Sequence, residues 1–339
     1  MTSPGDVVTN PMMQLVLDSP GQLRWGLDLS APDVAGADDV VLLGMGGSGM
    51  AATAGGLGTS PNAVVHVHAD YGLPPWAVPR GATVVAVSHS GNTEETVSGF
   101  AEAIAAGLPV VAITSGGRIA EMAAAADAPH LVVPGGMQPR AALGYLSAAT
   151  RRVLGALGAV GDAETSIGEA ADAVEKLLGG GEGAGFSLGV DIADALVDCL
   201  PVAIGATGPA SLAARRWMTQ INENTKRTAF FAEVPELNHN ALEAWATRGS
   251  DPTKVGVVAL ADPGGELRNE RRLDLTVRRL GGRVASAGIV HARGTSSFAR
   301  FWSLAAVGDV VSVAMALQTE VDPVPVDILE NFKLALRKD

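Results

Sequence analysis

The chain has 339 residues, 47% hydrophobic and 18% charged, enough apolar material for about two domains and too much for a disordered chain. Its 24 basic and 36 acidic residues give a formal net charge of −12, which argues against a broadly basic nucleic-acid surface and makes any anionic ligand depend on local donors. A single cysteine, Cys199, excludes an intrachain disulfide and a Cys-rich zinc site, and suits a reducing cytoplasm.

In chain order, the opening MTSPGDVVTNPMM lacks the basic and apolar regions of a secretory signal. The uncharged stretch from Val40 to Ala69 carries seven glycines, Pro61, Asn62 and two histidines, so a membrane span is rejected. Apolar runs predict strands over 39–46, 63–69, 82–88, 109–115 and 130–134. Helices are expected from Ser48 to Ala54, over 93–106 and over 139–157. Residues 161–187 read as an exposed helix ending in a glycine-rich linker, Gly179 to Gly185. The pattern then restarts, with strands over 200–208, 255–262 and 282–288 and helices over 210–223, 266–279 and 296–318. Phe301 to Leu317, interrupted by Asp309, reads as a buried core helix. A Pro turn and a C-terminal helix close the chain. Strand, glycine turn and helix occur in that order twice, at 40–52 and 202–214, a weak internal repeat. The expected fold is α/β, with two tandem doubly wound αβα sandwiches of parallel strands and a C-terminal helix.

Gly44-Met-Gly46-Gly47-Ser48-Gly49 follows the first strand and opens a helix, so backbone N–H groups there can approach an anion. The spacing fits G-x-G-x-x-G, and Asp70 ends the second strand where a dinucleotide's ribose would need a carboxylate. A single phosphate and a plain packing turn fit it too. Strand three runs into Ser88-His89-Ser90-Gly91-Asn92-Thr93-Glu94-Glu95. Three hydroxyls, Ser88, Ser90 and Thr93, at a strand-to-helix junction suit a monophosphate clamp; a helix cap explains only Thr93. Glu223 stands between Asn222 and Asn224, two amides able to orient it, near a helix end, where a carboxylate's pKa tends to rise. Alone it reads equally as a solvated turn residue. His239, between Asn238 and Asn240, is a candidate for proton transfer, or part of a run in which Asn238 caps a short helix. His66 and His68 share one strand face but have no third metal ligand nearby in sequence.

GMGGSG followed by SHSGNTEE resembles the sugar isomerase (SIS) domain. The tandem arrangement, with Asn-Glu-Asn at 222–224 and Glu-Leu-Asn-His-Asn at 236–240, resembles the bifunctional phosphoglucose/phosphomannose isomerase family from about residue 36 onward. The expected organisation is an N-terminal helical arm over 1–36, a first, phosphate-binding SIS domain over 37–160, a helix and linker over 161–185, a second SIS domain over 186–320 and a helical tail over 321–339. The resemblance implies phosphate binding by Gly46, Gly47, Ser48, Ser88, Ser90 and Thr93. It also implies aldose–ketose isomerisation of a hexose 6-phosphate without metal or organic cofactor. Glu223 would move the proton, Arg140 would face the enediolate, and His239 would open the ring with help from Lys333. A homodimer with shared active sites is implied, His239 reaching the partner's site, and neither nucleic acid nor membrane is an expected partner. His89 stands where the family more often has an aromatic residue. A non-catalytic sugar-phosphate sensor would need only the clamp. A nicotinamide oxidoreductase would explain the glycines and Asp70 but leave the other motifs without a job.

Overall fold

Strands covered on both faces need apolar side chains at nearly every position, and the first half supplies them. The computed structural model of the chain describes residues 4–247 and 255–336. Helices α1 (Pro4–Thr9), α2 (Pro11–Leu17) and α3 (Ser19–Trp25) form an N-terminal arm. Then follow β1 (Asp39–Leu43), α4 (Gly46–Gly55), β2 (Val64–His68), α5 (Ala77–Arg80), β3 (Thr83–Ser88), α6 (Glu94–Ala105), β4 (Val110–Thr114), α7 (Gly117–Ala125) and β5 (His130–Val132). Three helices, α8 (Leu143–Ala156), α9 (Ala163–Leu178) and α10 (Ala184–Leu196), lead to the second half. That half comprises β6 (Leu200–Ala206), α11 (Pro209–Thr225), β7 (Phe230–Val234), α12 (Ala241–Ala246), β8 (Val255–Ala261), α13 (Leu267–Leu280), β9 (Ser286–His291), α14 (Ser297–Gln318) and α15 (Asp327–Leu336).

Both sheets are parallel, in the orders β2-β1-β3-β4-β5 and β7-β6-β8-β9. The second repeats the winding of the first and stops one strand short. Alternate residues of each strand face opposite sides. Val41, Leu43, Val84 and Ala86 pack outward on α5, α6 and α7 through Ala77, Phe100 and Ile119. Val40, Leu42, Val85 and Val87 point inward, into the same cluster that receives Ala203, Val258 and Leu260 from the second sheet. A layer of helices lies between the sheets and is common to both, with α14 at its centre. That helix is long and apolar enough to pass for a membrane span, yet 89% of its most apolar window is buried in the fold. Glycine sets its distance from α11: a Cβ on Gly308 would lie 2.1 Å from Nε1 of Trp217, which donates to the Leu304 carbonyl.

Several expectations change. Residues 163–178 are helical but not exposed: Ile167, Ala170, Ala171, Val174 and Leu178 bury a full stripe. The segment expected as a linker is a short 3-10 turn, Gly179–Gly181, joining α9 to α10, with Gly179 and Gly180 left-handed at φ 52° and 63°. The helix expected from 139 starts at Leu143, because Gln138–Ala142 turns and anchors Arg140 first. The strand expected over 282–288 lies at Ser286–His291. Asn240, not Asn238, caps the short helix after His239; Asn238 instead donates to the Thr276 hydroxyl at 2.8 Å.

Glu169 on α9 ties the halves together by capping α14: it accepts from the Thr295 hydroxyl at 2.6 Å and from the Ser296 amide at 3.0 Å. Burial pushes its carboxyl up, but the hydrogen bonds from Ser296 and Thr295 outweigh that and bring it down to about 2 from 4.5. A carboxyl depressed by folding stabilises fully above its unfolded pKa and loses that contribution as pH falls through the folded one. Glu169→Gln should therefore cost on the order of 1 kcal/mol at neutral pH, as a lost cap does. Urea midpoints of variant and parent should converge between pH 4.5 and about 2; a gap independent of pH would show that the charge contributes nothing.

Candidate active site

The β1–α4 turn presents backbone rather than side chains. Gly46 has φ 52° and open space where a Cβ would be, whereas a Cβ on Gly47 would lie 2.9 Å from backbone atoms of Pro139 and Arg140. Only glycine allows the Arg140 segment to come so close to the start of α4.

Next to this turn lies the hydroxyl cluster. Ser88 ends β3, and its Oγ is 3.1 Å from Oγ1 of Thr93. Thr93 occupies the N-cap position of α6 but makes no side-chain cap, so the helix-cap reading of its hydroxyl does not hold. Ser48, in the first turn of α4, accepts from the His89 amide at 3.1 Å, which links the two loops. Ser90 is exposed and accepts from the Asn92 amide at 3.3 Å. His89 is buried, its ring Nε2 lying 3.0 Å from the Pro134 carbonyl, so this departure from the family's usual aromatic is absorbed by loop packing. Asp70, the residue a dinucleotide would need, folds back onto the Tyr71 amide at 2.8 Å.

The second half contributes Glu223, in the last turn of α11. Its Oε2 lies 3.3 Å from Nη1 of Arg140, with side-chain exposures of 30% and 4%. A cavity of about 300 Å³ is lined by Gly46, Gly47, Arg140, Arg216, Gln220 and Glu223, so turn, cation and carboxylate share one space. Ser48, Ser88, Ser90 and Thr93 stand beside that cavity's glycine turn without lining the cavity itself. Burial lowers the Arg140 pKa; Glu223 opposes this and Arg216 adds to it. The flanking amides do not orient Glu223, contrary to expectation. Asn222 accepts from the Ala229 amide at 2.7 Å, and Asn224 accepts from Arg140 Nε at 3.0 Å.

His239 and Lys333 are not brought to this site within one chain. His239 ends the 3-10 turn Glu236–His239 and is exposed, Lys333 lies on the exposed helix α15, and neither lines the Glu223 cavity. The lysine that reaches Glu223 is Lys226, whose ammonium donates to the Glu223 carbonyl at 2.7 Å. Burial first, then Arg140, lower its pKa against Asp322, Glu223 and Asp327. Sequence reasoning also missed Arg216 and Asp309, both almost fully buried and paired at 2.9 and 2.7 Å. The signal was present: Asp309 breaks an apolar run, and a charge that cannot leave the core requires a partner.

Residues 187–336 match the family described as "Bacterial phospho-glucose isomerase C-terminal SIS domain". A protein of Caldicellulosiruptor bescii named "Bifunctional phosphoglucose/phosphomannose isomerase" is 33% identical over 321 residues, covering 92% of this chain and 93% of its own. One of the same name from Aquifex aeolicus is 35% identical over 314 residues, covering 91% and 93%. Among solved structures, a hypothetical protein from Thermus thermophilus superposes with a TM-score of 0.71 at 17% identity, covering 97% of this chain and 90% of its own. The C-terminal domain of glucosamine-fructose-6-phosphate aminotransferase from Francisella tularensis gives 0.70 at 13% identity, covering 92% and 97%. At such identities the structures speak for the fold alone.

Proposed function

The chain belongs to the bifunctional phosphoglucose/phosphomannose isomerase family, and from that premise we propose that it interconverts glucose 6-phosphate and/or mannose 6-phosphate with fructose 6-phosphate. The observation that carries this reading is the meeting of Glu223 with Arg140 in the cavity floored by Gly46 and Gly47.

The reaction moves a proton from C2 to C1 of an open-chain sugar. One carboxylate reaching both carbons suffices, and Glu223 is that base. As the proton leaves, charge develops on the two oxygens of the enediolate; Arg140 Nη1, on the cavity side, is the donor that meets it. The sugar's phosphate is remote from the reacting carbons, so gripping it positions them. Ser48, Ser88, Ser90 and Thr93, with the N–H groups opening α4 and α6, form the grip. The scheme calls on no metal or organic cofactor. His239 opens the ring with Lys333, and since neither reaches Glu223 within one chain, a second copy supplies His239. The exposed apolar residues of α15, with Ile328 85% and Phe332 63% accessible, support such pairing. A cytoplasmic setting is in keeping with the single, reduced Cys199.

A coupled assay should detect fructose 6-phosphate from at least one of the two hexose 6-phosphates; binding without turnover would make the chain a sensor instead. Activity per chain should also fall on dilution as sedimentation records dissociation. Constant specific activity through that transition would rule out the shared site.

A further inference from the structure

Arg140 has three fixed partners besides Glu223. Its Nε donates to Asn224 Oδ1 at 3.0 Å, and its Nη2 donates to the carbonyls of Pro323 at 2.7 Å and Val324 at 3.0 Å. A guanidinium is a rigid planar fork, so fixing Nε and Nη2 fixes the direction of Nη1. Whether Nε finds an acceptor depends on which end of the Asn224 amide faces it.

That choice is made on another helix. The Ser312 hydroxyl donates to the Asp309 carbonyl at 2.8 Å, within α14. With its hydrogen committed, Ser312 Oγ can only accept, and it accepts from Asn224 Nδ2 at 2.9 Å. Asn224 therefore turns its oxygen to Arg140. The reversed amide would set Nδ2 against the Nε hydrogen and Oδ1 against a hydroxyl with no hydrogen to offer. Asn224 and Ser312 are both fully buried, so water cannot repair such a mismatch. Arg216 Nη2 holds the Arg140 carbonyl at 3.1 Å, so the backbone has an independent anchor.

We propose that Asn224 and Ser312 are positioning residues for the isomerisation, relaying a hydrogen-bond direction from α14 that aims Arg140 Nη1 beside Glu223. The inference rests on the isomerase reading above. Neither residue lines the cavity, and the phosphate grip lies elsewhere. Losing the relay should lower kcat and leave KM in place.

Ser312→Ala removes the acceptor for Nδ2 and frees the amide to turn. It should reduce kcat about 10- to 100-fold, the scale of a misplaced catalytic group, with KM nearly unchanged. The decisive arm is a second background. In Asn224→Asp the side chain has no donor to present to Arg140, so adding Ser312→Ala should lower kcat no further, whatever either change does to the melting temperature. An equal loss in both backgrounds, or a rise in KM in place of the fall in kcat, overturns the relay. Arg140→Lys serves as reference: if it lowers kcat while Ser312→Ala does not, the relay is wrong and the isomerase reading stands. If Arg140→Lys is also without effect, Arg140 is not the donor that meets the enediolate and the relay falls with it; the isomerase reading fails only if the parent turns over neither hexose 6-phosphate.

Discussion

Replacing Glu223 with glutamine should lower turnover by at least about 100-fold while hexose 6-phosphate still binds, the lower end of what a positioned acid–base group contributes. Glutamine keeps the shape of the side chain and an oxygen that Arg140 Nη1 can still reach, so the 3.3 Å contact persists with its charge removed. The capacity to take a proton from C2 is lost, because an amide is not a base at neutral pH. The proposed phosphate grip should be untouched, since the hydroxyl cluster sits on the β1–α4 and β3–α6 junctions of the other half. Steady-state kcat from the coupled assay and a calorimetric titration with hexose 6-phosphate read the two quantities separately. Turnover within a few-fold of the parent would remove Glu223 from the proton's path, and loss of binding alone would recast it as a substrate contact.

The second large effect concerns stability. Arg216 and Asp309 join α11 to α14 as a two-pronged ion pair, with side-chain exposures of 4% and 6%. Breaking such a pair strands one charge, which costs about 3–5 kcal/mol, whereas replacing both partners by apolar residues of similar size is often neutral or better. The two single variants should differ. Burial pushes the Asp309 carboxyl up while Arg216 pulls it down, so in Arg216→Met the acid can escape its charge by taking a proton. A guanidinium has no such exit. Asp309→Leu should therefore be the more damaging single change, and Arg216→Met/Asp309→Leu should regain most of the loss. Chemical denaturation of the four proteins gives the coupling directly; additive losses would mean that the pair contributes nothing as a pair. Recovered stability should not restore full activity, because the double variant still lacks the donor to the Arg140 carbonyl.

What the sequence made legible follows from burial. Strands β1, β3 and β4 are covered on both faces, so their apolar runs were unmistakable. β7 was missed because it is an edge strand: Phe230 and Phe231 are 51% and 38% exposed, and Glu233 interrupts the alternation. The helix at 163–178 looked solvated because its many small and acidic residues hide a stripe of Ile, Ala, Val and Leu wide enough to pack on α14. For the site, the glycine turn and the hydroxyl loop were readable from local spacing. Their pairing with Arg140 and Glu223 was not, since the partners are far apart in sequence: Glu223 alone read equally as a solvated turn residue, and Arg140 was singled out by the family resemblance. The Asn224–Ser312 relay had no local signature at all. An asparagine and a serine are informative only once their donor and acceptor ends are known.

The helical layer shared by the two sheets also bears on how such a chain can be altered. Its halves repeat one winding order, yet neither owns its inner surface, because α9, α10 and α11 all pack on α14. Cutting at Gly180 would leave two fragments, each with an uncovered oily flank. The repeat is therefore not a pair of exchangeable modules: swapping one half for that of a relative would have to carry the matching face of α14 with it.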